Sequence, residues 1–362
     1  MIACVDSSAT ELCALDSTRV LGYDRSVPPA EQTPVVACRT APGRVRDDLE
    51  RVLGLAGIER LDPARRTVVK FNGNVRRYYP GSNTSRWFLD ALLGALRDRG
   101  FRDLALIEGN LPQFTVEEML RNTALDRVLA RHGVPCINYE DLPRRDRLPA
   151  LLDGAQVLNT PTIHTHGFAV VSCATKNLFG LLPVDRYRYH PVLSETLLEL
   201  AARVPCLTLV DGTVSMYGDS TRTGIPFRTD LLAAGWDVLA LDVLAAHVLG
   251  FTPAQVPMLA LAQGRGLVAD TIAVTGDFGW ADVPRFPVPF ERGAARRLTM
   301  WLEGLSGGGF VPRLTSRLLH RPLFRLYARA VGLYVDLNYL RNRRMLRSGP
   351  WMAYELPDGA IA

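Results

Sequence analysis

The chain has 362 residues, 48% of them apolar, and a net charge of +5. That length and apolar content support a large α/β domain or a pair of lobes and exclude a disordered chain. The six cysteines (Cys4, Cys13, Cys38, Cys136, Cys173 and Cys206) contain no C-x-x-C pair, which argues against a zinc ribbon or a cysteine-ligated iron–sulfur cluster.

In chain order, residues 1–33 read as an irregular N-terminal lead-in ending in Val27-Pro28-Pro29. An α/β core follows over 34–284. Val35 to Cys38 predicts a strand, Val45 to Leu55 an amphipathic helix, and Thr67 to Phe71 a buried strand. A helix capped by Ser82 or Asn83 runs to Gly100, and Leu104 to Ile107 forms the next strand. Thr115 to Glu118 opens a helix as a capping segment, and Ala155 to Leu158 is a further strand. Then come helix 194–203, strand 206–210, helix 238–249 and strand 271–275.

Strands alternating with helices predict an α/β fold with a mainly parallel, doubly wound sheet, two lobes and a mostly helical basic C-terminal appendage. The apolar runs stop at polar and glycine residues: Lys70 to Asn74, Glu108 to Asn110, Asn159 to Thr162, Asp211 to Thr213 and Thr275 to Asp277. Ligands of open parallel sheets bind outside the carboxyl ends of strands, so these endings predict a cleft. The extension at 285–362 is Arg-rich: Glu291 to Arg347 holds twelve Arg and no Lys against three acids. It predicts amphipathic helices suited to peripheral contact with an anionic membrane, to a lid, or to a solvated surface. No recognised nucleic-acid module is present, and no nucleic-acid partner is expected.

The window from Thr162 to Gly180 concentrates chemistry. His164 and His166, spaced i, i+2, project to one side of an extended backbone. With Asp211, Asp242 or Glu108 as an oxygen ligand they would make a divalent metal site, the basis for a metalloenzyme or metal-dependent oxygenase. His166 alone suits general acid–base work or substrate hydrogen bonding. Lys176 and Asn177 suit an anionic substrate, or a nucleophile if the lysine is desolvated. Lys70, Asn72 and Asn74, with Ser82, Asn83 and Thr84 at a helix start, form a second polar cluster where a carboxylate or phosphate would meet a helix N-terminus. No GxGxxG or P-loop pattern occurs. Arg186 and Arg188, in a run with Tyr187, Tyr189 and His190, read as a basic clamp.

These blocks resemble the DUF362 family, a domain of unknown function. Its Lys-Thr-His step and Lys-Asn-Leu-Phe-Gly block match Pro161 to Gly180, with Val68 to Asn72, Asn83 to Ser85, Val210 to Gly212 and Ala240 to Asp242 in agreement. His166 falls on the family histidine, whereas His164 stands where relatives usually carry lysine. Many relatives carry a ferredoxin-like cluster region, which this sequence lacks. The resemblance is also similar to the two-lobed nickel-pincer lactate racemase type, which implies acid–base chemistry. The expectation is therefore a cytoplasmic bacterial enzyme of small-molecule biosynthesis, specialised metabolism included: an isomerase, epimerase or lyase. His166, Lys176 and Asp211 are its catalytic candidates, and Lys70, Asn72, Asn83, Thr84, Asn177, Arg186 and Arg188 bind an anionic substrate. A non-catalytic binding or membrane-peripheral protein is the other reading.

Overall fold

The computed structural model describes residues 34–183, 186–218, 220–293, 297 and 320–355. The lead-in expected at 1–33, most of the Arg-rich stretch between 294 and 319, and residues 356–362 lie outside the described residues.

The first half alternates strands and helices: β1 (Val35–Arg39), α1 (Val45–Leu55), β2 (Thr67–Phe71), α2 (Arg86–Asp98), β3 (Leu104–Glu108), α3 (Val116–Asn122), α4 (Leu125–His132) and β4 (Cys136–Asn138). A two-stranded ribbon, β5 (Arg144–Arg145) and β6 (Leu148–Pro149), precedes β7 (Gln156–Thr160), β8 (Thr162–His166), β9 (Val170–Ser172) and the short α5 (Ala174–Leu178). Then come α6 (Leu193–Arg203), β10 (Leu207–Tyr217), β11 (Ile225–Gly235), α7 (Val238–Val248), α8 (Pro257–Gly264), β12 (Val274–Gly276) and the long α9 (His320–Ser348).

One mixed sheet runs through this body in the order β12-β1-β11-β10-β7-β2-β3-β4, with β8 attached to β10 and β9 to β8. Its centre is parallel, β2 lying between β3 and β7, and every residue of β2 and β3 is buried. Such strands are covered by helices on both faces, which is why they read as continuous apolar runs. Helices α1, α2 and α4 pack one face and α5 to α8 the other, giving two core clusters. The separation expected between lobes takes the form of these two layers on one sheet.

β10 and β11 form an antiparallel hairpin at the sheet's middle. The sequence reading passes over 225–235, where Leu231-Leu232-Ala233-Ala234 lacks strand alternation. Between β1 and β10 that run is buried on both faces, so no alternation is required. α2 begins at Arg86, capped by Ser85, whose Oγ accepts from Phe88 N–H at 3.4 Å, rather than by Ser82 or Asn83.

The C-terminal helix is docked on the core. Tyr339 and Leu346 of α9 are buried with Val75, Tyr79 and Met216. Asp336 pairs with Arg76 and Arg77. Beyond the helix, Tyr354 stacks on Trp87 at 5.7 Å and Glu355 meets Arg86 in a buried ion pair. Among the described residues no helix is long and apolar enough to cross a membrane.

Candidate functional site

Strand ends and one short helix meet around a cavity of about 210 Å³. β2 and the turn after it contribute Lys70, Asn72, Gly73 and Asn74, and β3 contributes Glu108. The β8–β9 turn adds His166 to Phe168, α5 adds Lys176 and Asn177, and Arg186, His190 and Arg222 close the rim with Val331 of α9.

The floor is an ion pair. Lys70 and Glu108 are both buried and in contact, and Lys70 Nζ also donates to the Phe71 carbonyl at 2.6 Å. Burial pushes the Lys70 ammonium below, and the Glu108 carboxyl above, its ordinary range, each opposed by its partner. Gly180 passes directly over them. A Cβ there would stand 3.1 Å from Lys70 Cε and 3.2 Å from Nζ, so a side chain would push the lysine aside. Tyr139 Oη holds this passage by donating to the Gly180 carbonyl at 2.5 Å.

Lys176 forms the wall. Its ammonium lies 4.2 Å from the centre of the Phe179 ring, and among the described residues no carboxylate pairs with it. Desolvation, then Arg186, Arg222 and Lys70 nearby, bring its pKa down to about 7. Its backbone is positioned from behind: Asp242 on α7 accepts from Ala174 N–H at 2.8 Å and Thr175 N–H at 3.1 Å, satisfying the free amides that begin α5. Asn177 donates to the Lys70 carbonyl at 3.1 Å and to Asn159 Oδ1 at 2.8 Å, tying α5 to β2 and β7.

His166 has a defined tautomer. Its Nδ1 accepts the backbone N–H groups of Phe168 and Ala169, at 3.0 and 3.2 Å, so the ring proton sits on Nε2. The turn it holds is strained: Val171 N–H donates to the Ala169 carbonyl across Val170, a β-branched residue with φ of +67°. A γ-turn of this hand is rare and costly, and such strain clusters at functional sites. Next to it the His190 ring stacks between Phe168 and Phe179, at 4.5 and 5.9 Å.

Thus the structure gathers His166, Lys176, Asn177, Lys70, Asn72 and Arg186 at one cavity and places Asp211, Asn83, Thr84 and His164 away from it. Asp211 is not at the cavity. Its carboxylate accepts from Ser85 N–H at 2.8 Å and from Thr213 Oγ1 at 2.7 Å, at the start of α2. The helix N-terminus where a ligand anion was expected is therefore occupied by the chain's own carboxylate. Asn83 and Thr84 are likewise spent internally: Asn83 Oδ1 accepts from the backbone N–H groups of Asn74 and Val75, and Thr84 Oγ1 accepts from Asn72 N–H while donating to the Thr160 carbonyl. Lys70, expected as an anion partner, is committed to Glu108.

His164 is buried behind Asn74, its Nδ1 facing the Thr165 carbonyl at 3.3 Å, and burial lowers its pKa to about 4. His164, His166 and Asp211 do not assemble as a donor set: among the described residues no group of three or more metal-ligating side chains comes together. The Arg188 side chain lies outside the described residues. Arg222 escaped the sequence reading because it sits in the β10–β11 connection, and β11 had not been recognised; Thr221-Arg222-Thr223-Gly224 as a hairpin loop is the signal that was there.

The fold and site define a mixed-sheet α/β protein with a small cationic cavity at the carboxyl ends of its parallel strands. The family model described as a domain of unknown function, DUF362, matches residues 67–247, half of the chain, and the chain belongs to that family. A thylakoid-associated protein of Synechocystis sp. is 31% identical over 128 residues, covering 32% of this chain and 39% of the relative, so the chain spans about two fifths of that protein's length. A solved structure from Thermotoga maritima, 12% identical, covers 51% of this chain and 53% of its own with a TM-score of 0.33.

Proposed function

We propose that this protein is an enzyme of small-molecule metabolism that binds a small organic anion in the cavity and moves a proton at the carbon beside its acid group, as an isomerase, epimerase or lyase does. The observation that carries this reading is Lys176, a cation that pairs with no carboxylate among the described residues and whose pKa of about 7 leaves free amine available at neutral pH. Of the cations lining the cavity, Lys70 pairs with Glu108 and Arg186 lies 3.6 Å from Glu140, whereas Lys176 meets no carboxylate among the described residues. Its positive charge selects an anion. The volume, below the roughly 300–1,000 Å³ of sites for drug-sized ligands, selects a small one.

In the reaction proposed, Arg186 and Arg222 hold the substrate carboxylate and the Lys176 amine takes the adjacent proton. The Nε2–H of His166 donates to the oxygen on which negative charge develops. A neutral imidazole whose Nδ1 is occupied serves as donor rather than base. Return of the proton completes an isomerisation, and departure of a β-substituent completes an elimination. A cytoplasmic setting is proposed with this, supported by Cys38, Cys136, Cys173 and Cys206 being free thiols.

The test is solvent exchange. Purified protein in D2O with a panel of 2-hydroxy carboxylates should wash out the proton beside the acid group of one of them, followed by proton NMR. Lys176→Gln should abolish the exchange. Tight binding of a panel member with no exchange would instead assign a binding protein.

A further inference from the structure

Helix α9 has two unlike faces. Its inner side carries Tyr339 and Leu346 into a buried cluster and sets Val331 against the cavity. Its outer side exposes Leu326, Leu333, Leu337 and Leu340 at 64, 61, 55 and 61%. At about 100° per residue these four leucines fall within a sector of roughly 60°, with Tyr334 (57% exposed) about 60° beyond it. Single exposed leucines are ordinary, but a continuous row along several turns marks a surface that is covered in use.

The charges beside the row identify the cover. Arg329 and Arg343 are exposed on one flank and Arg341 on the other, and Arg344 continues the line of the row at its C-terminal end. The one acid of the helix, Asp336, is turned inward to Arg76 and Arg77. The outer face is thus an apolar seam with flanks of a single sign. Pairing with a second copy would set arginine against arginine at the positions that decide helix–helix partner choice. Lipid phosphates meet the same flanks with opposite charge.

We propose that the outer face of α9 lies on an anionic bilayer surface, with the leucines at the boundary of headgroups and acyl chains and the arginines on lipid phosphates. The helix rests on the membrane and does not enter it as a span. Since Val331 on its inner side lines the cavity, docking leaves α9 between the cavity and the interface.

Vesicle co-sedimentation of the full chain tests this, with phosphatidylcholine alone and with phosphatidylcholine mixed with phosphatidylglycerol. The protein should pellet with the mixed vesicles only, and less so as salt is raised. Replacing Arg341 and Arg344 by Gln should lower partitioning roughly thirtyfold. The pair Leu333→Ser and Leu337→Ser should abolish it, with circular dichroism confirming an intact fold. Failure to pellet with anionic vesicles overturns the proposal, as does pelleting that neither pair weakens. A dimer in sedimentation equilibrium that the leucine pair dissociates, without lipid binding, assigns the face to a second copy and also overturns it.

Discussion

Asp242 holds Thr175 twice, accepting its backbone N–H at 3.1 Å and its Oγ1 at 2.5 Å, and the residue so held is the immediate neighbour of Lys176. The position of the cavity's amine is therefore set by a carboxylate on α7 that lines no part of the cavity. Asp242→Asn preserves volume but replaces one acceptor oxygen by a donor facing donors. It should cost about 2–3 kcal/mol in chemical denaturation and weaken binding of inorganic phosphate by calorimetry. Burial raises the Asp242 pKa from 3.8 to about 7. Its protonated form is thus favoured in the folded chain, and its contribution to stability is present below pH 3.8 and lost as pH rises towards 7. The variant should lack that component of the pH profile.

Lys176 has the opposite sign. Its pKa falls from 10.5 in the unfolded chain to about 7 in the fold, so the unfolded state binds the extra proton between those values. Its contribution to stability should rise with pH from about 7 to 10.5. Anion binding follows the protonated form and should weaken as pH passes above 7. Lys176→Met should remove both dependences. Melting temperatures and phosphate titrations across this window check the two together, and an unchanged pH profile in the variant would mean that another group titrates.

His166 allows its two nitrogens to be separated by substitution. In His166→Asn the side-chain oxygen stands where Nδ1 stood, so the amides of Phe168 and Ala169 keep their acceptor while the donor at Nε2 is lost. Proton exchange should fall by about 10²–10³ with stability nearly unchanged. His166→Gln reaches towards the cavity but frees both amides beside the strained Val170, and should lower stability by about 1–2 kcal/mol. Equal stability loss in the two variants would contradict the tautomer.

Much of the sheet was legible because its central strands are short apolar runs bounded by turn residues, as at Thr67–Phe71 and Leu104–Glu108. Lys70, His166, Lys176 and Asn177 were legible because each follows such a run or sits in the family block. Asp211 misled because a carboxylate after an apolar run looks alike whether it faces a ligand or a helix N-terminus. β10 continues through Asp211 to Tyr217, so that residue never was a strand end. β11 was hidden by burial on both faces, and Arg222 with it. The inward turn of Asp336, which leaves the outer side of α9 with one sign of charge, depends on Arg76 and Arg77, some 260 residues earlier, and no local pattern announces it.

The Lys70–Glu108 pair yields a last prediction, because desolvation and attraction can be separated in it. Glu108→Gln leaves a buried ammonium without its counter-charge and should cost about 3–5 kcal/mol. Lys70→Met leaves the carboxyl, which burial already pushes towards its neutral form, so the loss should be smaller. Combining Lys70→Met with Glu108→Gln removes both charges, and the double variant should be more stable than Glu108→Gln alone, a coupling read from a double-mutant cycle in denaturant. Gly180→Ala probes the same contact sterically. Its Cβ would meet Lys70 at 3.1 Å, so it should destabilise the parent protein by about 1 kcal/mol or more. If the ion pair is what crowds that position, the penalty should shrink in the Lys70→Met background, whose side chain is shorter and uncharged.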